Sequence, residues 1–468
     1  MSKPSYGMIG LGTMGRNLSL NIAEKGYRLA IYNRTASVTN EMIAEAGEPG
    51  GNLVATYSLS ELVDAMAAPR TIILMVPAGP IVDDHITRLR ELLDDDDLII
   101  DAGNAHFPDT NRRAAQAREA GRLFLGIGVS GGAEGARHGP SIMGGGDRTA
   151  WDRVAPLLKA ISARYEDQPC ADYMGPTGSG HFVKMVHNGI EYADMQMIAE
   201  VYGLMRDGLK LATKDIATTF ATWNKGPLQS YLIEISGTVA STTDAATGKP
   251  ILDVILDSAG QKGTGRWTAI EALHLASPVT AIDAAVAARN FSSRLEERAR
   301  GQDLFGAAPG LISSDRLQTS ALEQALLAGK IACYAQGFAM LQAGSVEYDW
   351  QLPLPEIAEV WREGCIIRSA MLNDMATALR NDAGQNLMFS AHFADLLKAS
   401  HGALRQVVAI ATETGHPVPA LSAAVSYFDT MRTARGTANM IQAQRDFFGA
   451  HSFQRLDKEG THHGPWVS

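Results

Sequence analysis

The sequence predicts an α/β domain built on a parallel sheet, followed by a large all-α domain and a C-terminal tail. Three observations carry this expectation. Short apolar runs alternate with amphipathic segments near the N-terminus, a glycine cluster follows the first run, and long Ala-, Leu-, Met- and Gln-rich segments replace them after Gly175-Pro-Thr-Gly178-Ser-Gly180. These changes set the first boundary, after residues 1–178.

Taken in order, Tyr6 to Ile9, Leu29 to Tyr32, Thr71 to Val76, Leu98 to Asp101 and Leu123 to Val129 read as strands, because each is a short apolar run bounded by turn or helix signals. The run Asp94 to Asp97, between a helix pattern and the strand Leu98 to Asp101, reads as a solvated loop. In the second part, helical spacing is expected over about 181–210, 214–224, 228–240, 278–300, 316–345, 354–380 and 400–414, with stop signals such as Asn224-Lys-Gly226-Pro227 and Gly415-His-Pro417.

Composition narrows the function. The 468 residues hold 41 Lys plus Arg against 51 Asp plus Glu, a formal charge of −10, which argues against nucleic acid as a partner. Hydrophobic residues make up 46% and charged ones 20%, the balance of a globular chain. Cys170, Cys333 and Cys365 stand far apart, so neither a disulfide framework nor a paired-Cys metal site is expected, and no metal-ligand spacing occurs elsewhere. No apolar run approaches the ~20 residues of a membrane span, and no leader pattern precedes Tyr6; a soluble, cytoplasmic protein is the expectation.

Chemistry concentrates in four places. Gly10-Leu-Gly12-Thr-Met-Gly15 lies between the first strand and a helical pattern reaching Lys25, the context in which such glycines make a tight turn, admit a pyrophosphate and pack a helix closely: a Rossmann-type dinucleotide site. After the second strand, Asn33-Arg34-Thr35 stands where an NAD-preferring site places a carboxylate. Arg34 suits a 2′-phosphate through charge-assisted bonds and Asn33 and Thr35 can add neutral ones, so NADP is favoured. Asn104 and Val129-Ser130-Gly131-Gly132 fall at strand ends, where sheets of this kind place ligands.

The richest stretch is His181-Phe-Val-Lys184-Met-Val-His187-Asn188-Gly-Ile-Glu191-Tyr192. At about 100° per residue, Lys184, His187, Asn188 and Glu191 share one face, while Phe182, Val183, Val186 and Ile190 fill the other. The pattern is a buried helix with one polar stripe facing a wet cleft. Lys184 and Glu191 are either a structural ion pair or an acid/base pair; as a base near neutrality Lys184 needs its pKa lowered from ~10.4 to ~7 or 8 by burial or a neighbouring cation. Gln261-Lys262-Gly263-Thr264-Gly265 reads equally as an anion cradle and as an interhelical loop. Arg445-Asp-Phe-Phe-Gly-Ala-His451 groups a cation, aromatics and a histidine in a segment that looks too irregular for a core helix, and His462-His463 reads as incidental.

With these motifs in order, the chain resembles the long form of decarboxylating 6-phosphogluconate dehydrogenase over nearly its whole length. Val129 to Gly132, Lys184 to Tyr192, Trp361-Arg-Glu-Gly-Cys-Ile-Ile-Arg368 and Gln442-Ala-Gln-Arg-Asp446 carry the resemblance together. It implies NADP-dependent oxidation of 6-phospho-D-gluconate at C3, decarboxylation and tautomerisation to D-ribulose 5-phosphate, a step of the oxidative pentose phosphate pathway. Lys184 would be the general base and Glu191 the acid that protonates C1 of the enediol. Gly10, Leu11, Gly12, Thr13, Met14, Gly15, Asn33, Arg34, Thr35, Val76, Pro77, Ala78 and Asn104 would hold the cofactor. Asn104, Ser130, Gly131, Gly132, His187, Asn188 and Tyr192 would hold the sugar acid; Lys262, Arg289 and Arg445 would take the phosphate end with Tyr192, and His451 would complete the pocket.

The resemblance also implies a later division into 179–435 and a tail at 436–468, and a homodimer in which each tail enters the neighbouring subunit. Four departures from the family pattern stand out: Pro77 for a usual Lys, Ala133 for a usual Glu, Gly for a usual Pro in Met143-Gly144-Gly145, and Thr461-His-His-Gly-Pro-Trp466 for the usual Phe-His-Thr-X-X-Trp. Two other readings were open on sequence. A shorter β-hydroxy acid dehydrogenase type such as 3-hydroxyisobutyrate dehydrogenase shares the dinucleotide site and a Lys but lacks the phosphate elements, and a non-enzymatic NADP sensor would not require both Lys184 and Glu191.

Overall fold

The computed structural model describes Ser2–Trp466. Its first part is an eight-stranded sheet of β1 (Tyr6–Ile9), β2 (Leu29–Tyr32), β3 (Leu53–Thr56), β4 (Thr71–Leu74), β5 (Leu98–Asp101), β6 (Leu123–Ser130), β7 (Ser141–Gly146) and β8 (Ala171–Gly175), in the order β8-β7-β6-β5-β4-β1-β2-β3. Strands β1 to β6 are parallel, and their order 3-2-1-4-5-6 reverses between β1 and β4. The sheet is not wholly parallel: β7 runs antiparallel to β6, and β8 pairs parallel with β7.

The apolar runs form strands because both faces are covered. Met8, Ile31, Ile73 and Ile100 enter one core, while Ile9, Ile72, Leu74 and Ile99 enter the other, the period-two alternation of a pleated strand. Each such buried side chain contributes about 1.5–3 kcal/mol of hydrophobic stabilisation. The sequence reading missed β3, β7 and β8. Strand β7, Ser-Ile-Met-Gly-Gly-Gly, lacks the β-branched signature because its glycines admit neighbours: a Cβ at Gly144 would lie 2.2 Å from the Trp151 ring.

The aspartate run is also not a solvated loop throughout. The Asp97 side chain is fully buried, accepting from the Arg70 backbone N–H at 2.5 Å and its guanidinium at 2.8 Å. Asp97 thus ties the start of β5 to the residue before β4. The three cysteines are free and buried.

Helices used below are α1 (Thr13–Glu24), α2 (Phe107–Glu119), α3 (Ser179–Gly203), α4 (Thr264–His274), α5 (Thr280–Ser292), α6 (Thr319–Glu347), α7 (Ala391–Glu413) and α8 (Ala438–Gly449). Helix α3 packs on β6 and β7 and on α4, α5 and α6, and α6 packs on α7. The span expected as one helix at 278–300 breaks between Ser292 and Leu295, and that at 354–380 breaks between Val360 and Met371. Helix α7 begins nine residues before its expected start at 400, and α4 follows directly on the Gln261 loop.

Two compact units divide the chain at Ala424 and Val425. The second contains the end of the helix Pro419–Met431, α8, and an antiparallel hairpin of β9 (Phe453–Gln454) and β10 (Thr461–His462). The segment carrying Arg445 is helical, and α8 is not a core helix. It is exposed on most sides, with Asp446 its one buried residue among those described. No helix among the described residues is long and apolar enough to cross a membrane.

Candidate active site

The glycine loop sits at the reversal between β1 and β4, the crevice where open α/β sheets bind ligands. Gly10 has φ +95°, and a Cβ there would lie 2.4 Å from the Met75 carbonyl oxygen; one at Gly15 would lie 1.9 Å from the Gly10 carbonyl oxygen; at Gly12 it would meet nothing within 4 Å. Turn, packing and open approach thus fall to different glycines. The first turn of α1 carries no acidic residue and no side-chain cap, which leaves its N–H groups to an anion. These residues fit a dinucleotide pyrophosphate.

Beyond β2, the Asn33 amide oxygen accepts the Leu11 N–H at 3.1 Å and its amide nitrogen donates to the Thr35 carbonyl at 3.3 Å, so Asn33 ties the two cofactor segments together. Arg34 is exposed, and no carboxylate pairs with it among the described residues. Pro77 and Ala78 are exposed at the end of β4, followed by Gly79, whose carbonyl accepts from Arg113 at 3.1 Å.

Arg113, on α2, is a residue the sequence reading missed. It is almost wholly buried and also binds both oxygens of Asp83, at 2.8 and 2.9 Å, and the buried Asp101 at 3.3 Å. Asp101 in turn accepts the Gly103 N–H at 3.2 Å, next to the exposed Asn104. An Arg-Arg pair in an amphipathic segment carries no periodic signal that would mark one of them as buried.

Helix α3 lies directly on the sheet. A Cβ at Gly128 would sit 2.4 Å from Lys184 Cβ, and one at Gly180 would sit 2.5 Å from the Met143 carbonyl oxygen. This close approach leaves Lys184 only 6% exposed. Burial pushes its amine down to about 8, with Glu191 and Cys365 opposing. Burial raises the Glu191 carboxyl, opposed by Lys184 and Arg289. Among the described residues no ion pair joins Lys184 to Glu191; the Glu191 carboxylate lies 3.8 Å from His187 Nδ1.

His187 stands between them, fully buried and held well below its ordinary value by burial and by Lys184. Its Nε2 lies 3.2 Å from Ser130 Oγ, and its Nδ1 lies 3.3 Å from Lys184 Nζ and 3.0 Å from Asn188 Oδ1. The two contacts on Nδ1 define two proton arrangements. Bare Nδ1 accepts from a Lys184 ammonium; protonated Nδ1 donates to Asn188 beside a neutral amine.

At the far end of the stripe, the Arg289 guanidinium lies 3.4 Å over the Tyr192 ring and donates to the Gly260 carbonyl at 3.2 Å. Gln261 donates to Asn290 at 2.7 Å, so the loop before α4 is tied to α5. Glycine at 265 is required by that packing, since a Cβ would lie 2.5 Å from the Tyr192 ring. Lys262 is exposed on this loop. The first unit therefore brings together Ser130, Lys184, His187, Asn188, Glu191, Tyr192 and Arg289, while Gly132 faces open space and Gly131 packs against Gly364. Arg445 and His451 belong to the second unit and are exposed there. Among the described residues no group of three or more His, Cys, Asp or Glu could hold a metal ion.

Known proteins resemble the chain end to end. The family profile for the NAD binding domain of 6-phosphogluconate dehydrogenase matches residues 5–175, and that for the 6-phosphogluconate dehydrogenase C-terminal domain matches residues 180–466. Bacillus subtilis (strain 168) has an NADP(+)-dependent decarboxylating 6-phosphogluconate dehydrogenase that is 47% identical over 471 residues, covering 100% of both chains. Its NAD(+)-dependent decarboxylating counterpart is 46% identical and covers 99% of both. The structure of Plasmodium falciparum 6-phosphogluconate dehydrogenase, described in its apo form and in complex with its cofactor NADP+ and its substrate 6-phosphogluconate, has a TM-score of 0.95 at 40% identity, covering 99% of this chain and 100% of that one. The two Bacillus relatives thus differ in cofactor at nearly equal identity to this chain.

Proposed function

This chain belongs to the 6-phosphogluconate dehydrogenase family, and we propose that it oxidises 6-phospho-D-gluconate with NADP and decarboxylates the product to D-ribulose 5-phosphate and CO2. One observation carries the reading: Lys184 and Glu191 share one face of helix α3 with no ion pair between them, and burial lowers the amine while raising the carboxyl. When bound, NADP supplies the hydride acceptor for C3.

Neutral Lys184 takes the C3 hydroxyl proton. As ammonium it then hydrogen-bonds the C3 carbonyl, which stabilises the charge developing as CO2 leaves, so no metal is needed to polarise that oxygen. Glu191, whose carboxyl burial raises, gives its proton to C1 of the enediol, which forms as Lys184 returns its proton to the C3 oxygen on loss of CO2. His187 accommodates both states of Lys184 by exchanging its Nδ1 partner and, with Ser130 and Asn188, aligns the sugar acid. Asn104, Gly131, Gly132 and Tyr192 complete that part of the pocket, and Lys262 and Arg289 take the phosphate.

Gly10 to Gly15 would hold the pyrophosphate and Arg34 with Thr35 the 2′-phosphate; Asn33, Val76, Pro77, Ala78 and Asn104 would line the rest of the cofactor site. The three-part organisation at 1–178, 179–435 and 436–468 goes with a cytoplasmic homodimer in which Arg445 and His451 serve the partner's site. The test is turnover of 6-phosphogluconate with NADP and with NAD, following reduced cofactor and CO2 together. Reduced cofactor without CO2 contradicts the decarboxylation. In Arg34→Asp, affinity for NADP should fall far more than affinity for NAD; equal losses contradict the cofactor assignment.

A further inference from the structure

Helix α8 hides one side chain and exposes its apolar ones. Met440, Ile441, Phe447 and Phe448 are each more than half exposed, whereas Asp446 is 2% exposed. A carboxylate leaves water only where other donors replace it. Four do so here. Oδ1 accepts the Ser452 N–H at 2.7 Å and His463 Nδ1 at 2.6 Å; Oδ2 accepts the Gly464 N–H at 2.9 Å and the Trp466 indole N–H at 2.6 Å. Both oxygens are thus saturated by the last described residues of the chain and by the turn after α8.

A second link runs along the helix. Gln442 accepts from the Arg445 guanidinium at 3.0 Å and donates to the Ser452 carbonyl at 2.5 Å. Ser452 is therefore gripped at its N–H by Asp446 and at its carbonyl by Gln442, and the same Gln442 aims Arg445. His451 lies between Ala450 (φ 48°) and Ser452 (φ 59°), a left-handed stretch that non-glycine residues rarely adopt and that needs outside support. The Phe448 ring meets the His451 ring edge to face at 6.0 Å.

We propose that Asp446 is the positioning residue of the tail: it uses His463, Gly464 and Trp466 as struts and, with Gln442, sets Arg445 and His451 in a fixed relation to one another. The proposal rests on the reading that Arg445 and His451 meet the substrate phosphate. Asp446 itself touches no substrate. It acts by removing the conformational freedom that Arg445 and His451 would otherwise lose on binding.

The test compares 6-phosphogluconate with gluconate, which lacks the phosphate, in the full-length enzyme. Asp446→Asn replaces one accepting oxygen by an amide and should raise KM for 6-phosphogluconate about tenfold or more, with kcat within about threefold and kcat/KM for gluconate nearly unchanged. Gln442→Ala and His463→Ala should move the same ratio in the same direction by smaller factors, and they carry the test if Asp446→Asn fails to fold. A fall of kcat/KM in equal proportion on both substrates, or no change in the ratio for any of the three, overturns the proposal. Arg445→Ala separates the two failures. If it leaves the preference for the phosphorylated substrate intact, the phosphate reading falls and the inference with it; if it abolishes the preference while the Asp446, Gln442 and His463 variants retain it, only the inference falls.

Discussion

Helix α3 carries two buried cation and carboxylate sets and treats them oppositely. Lys184 and Glu191 share a face with no ion pair between them, and burial moves both toward neutrality. Three residues on, Asp194 meets Lys330 of α6 at 2.9 Å, with Ser230 Oγ 3.2 Å from the same Nζ, all of them buried. The difference separates chemistry from construction. A buried charge without a direct counter-ion is ready to exchange a proton, whereas a buried, hydrogen-bonded pair fixes one helix against another.

The comparison breaks most visibly on two Lys→Met changes. In Lys184→Met the proton acceptor is lost, and turnover should fall by about 10²–10⁴. Stability should move the other way. Burial brings the folded amine down to about 8 from an ordinary value of 10.5, so the folded chain holds this proton less well than the unfolded one. The resulting destabilisation, roughly 3 kcal/mol, is fully present below about pH 8 and vanishes as pH rises to 10.5. A melt at neutral pH should therefore show an inactive enzyme that is more stable than its parent; simultaneous loss of stability would erase the contrast.

Lys330→Met should do the reverse. It leaves the Asp194 charge buried and uncompensated, and the expected loss is about 3–5 kcal/mol in urea unfolding, with kcat of the folded fraction little changed. Adding Asp194→Asn should recover most of that stability, because the cost comes from the orphaned charge. A near-neutral Lys330→Met single variant would show that the pair does not fix the helices.

Both carboxylates lie on one helix, yet only the first set was legible in the sequence. Lys184, His187, Asn188 and Glu191 interrupt an apolar helix at the spacing of one face, a signal that needs no partner to be read. Asp194 becomes meaningful only through Lys330, distant in sequence, and Arg113 only through Asp83, Gly79 and Asp101. The strands β1, β2, β4, β5 and β6 were legible because sheet burial on two faces demands apolar runs. Strand β7 was not, since close neighbours such as Trp151 demand glycine there, and the polar-rich α8 was not, since no continuous apolar stripe of it is buried within its own unit.

A smaller effect sharpens the role of Lys184. In the free enzyme the amine must be neutral to accept a proton, so kcat/KM should rise about tenfold per pH unit and level off near pH 8. In Lys184→Arg the residual rate should lose that limb, because the guanidinium stays protonated throughout. A parent profile flat through this range, or an identical limb in Lys184→Arg, would remove Lys184 from the base role.

Glu200, farther along α3, tests whether a raised carboxyl alone marks a catalytic group. Burial pushes it up to about 7, against the opposing N–H groups of Leu421 at 2.9 Å and Ala420 at 2.8 Å and the Gln196 amide at 3.0 Å. Those N–H groups open the helix Pro419–Met431, so the carboxylate serves as its cap from a distant element. Because the folded value is raised, stability from this site is fully present below the ordinary value of 4.5 and is lost as pH rises through about 7. Glu200→Gln loses one accepting oxygen but also the buried charge, so its net effect at neutral pH should be about 1 kcal/mol or less. Its signature is a flatter dependence of Tm on pH between these two values, with kcat and its pH profile unchanged. A shifted kcat profile would mean that Glu200 communicates with Lys184 and Glu191, and that perturbed protonation on α3 cannot by itself be divided into catalytic and structural parts.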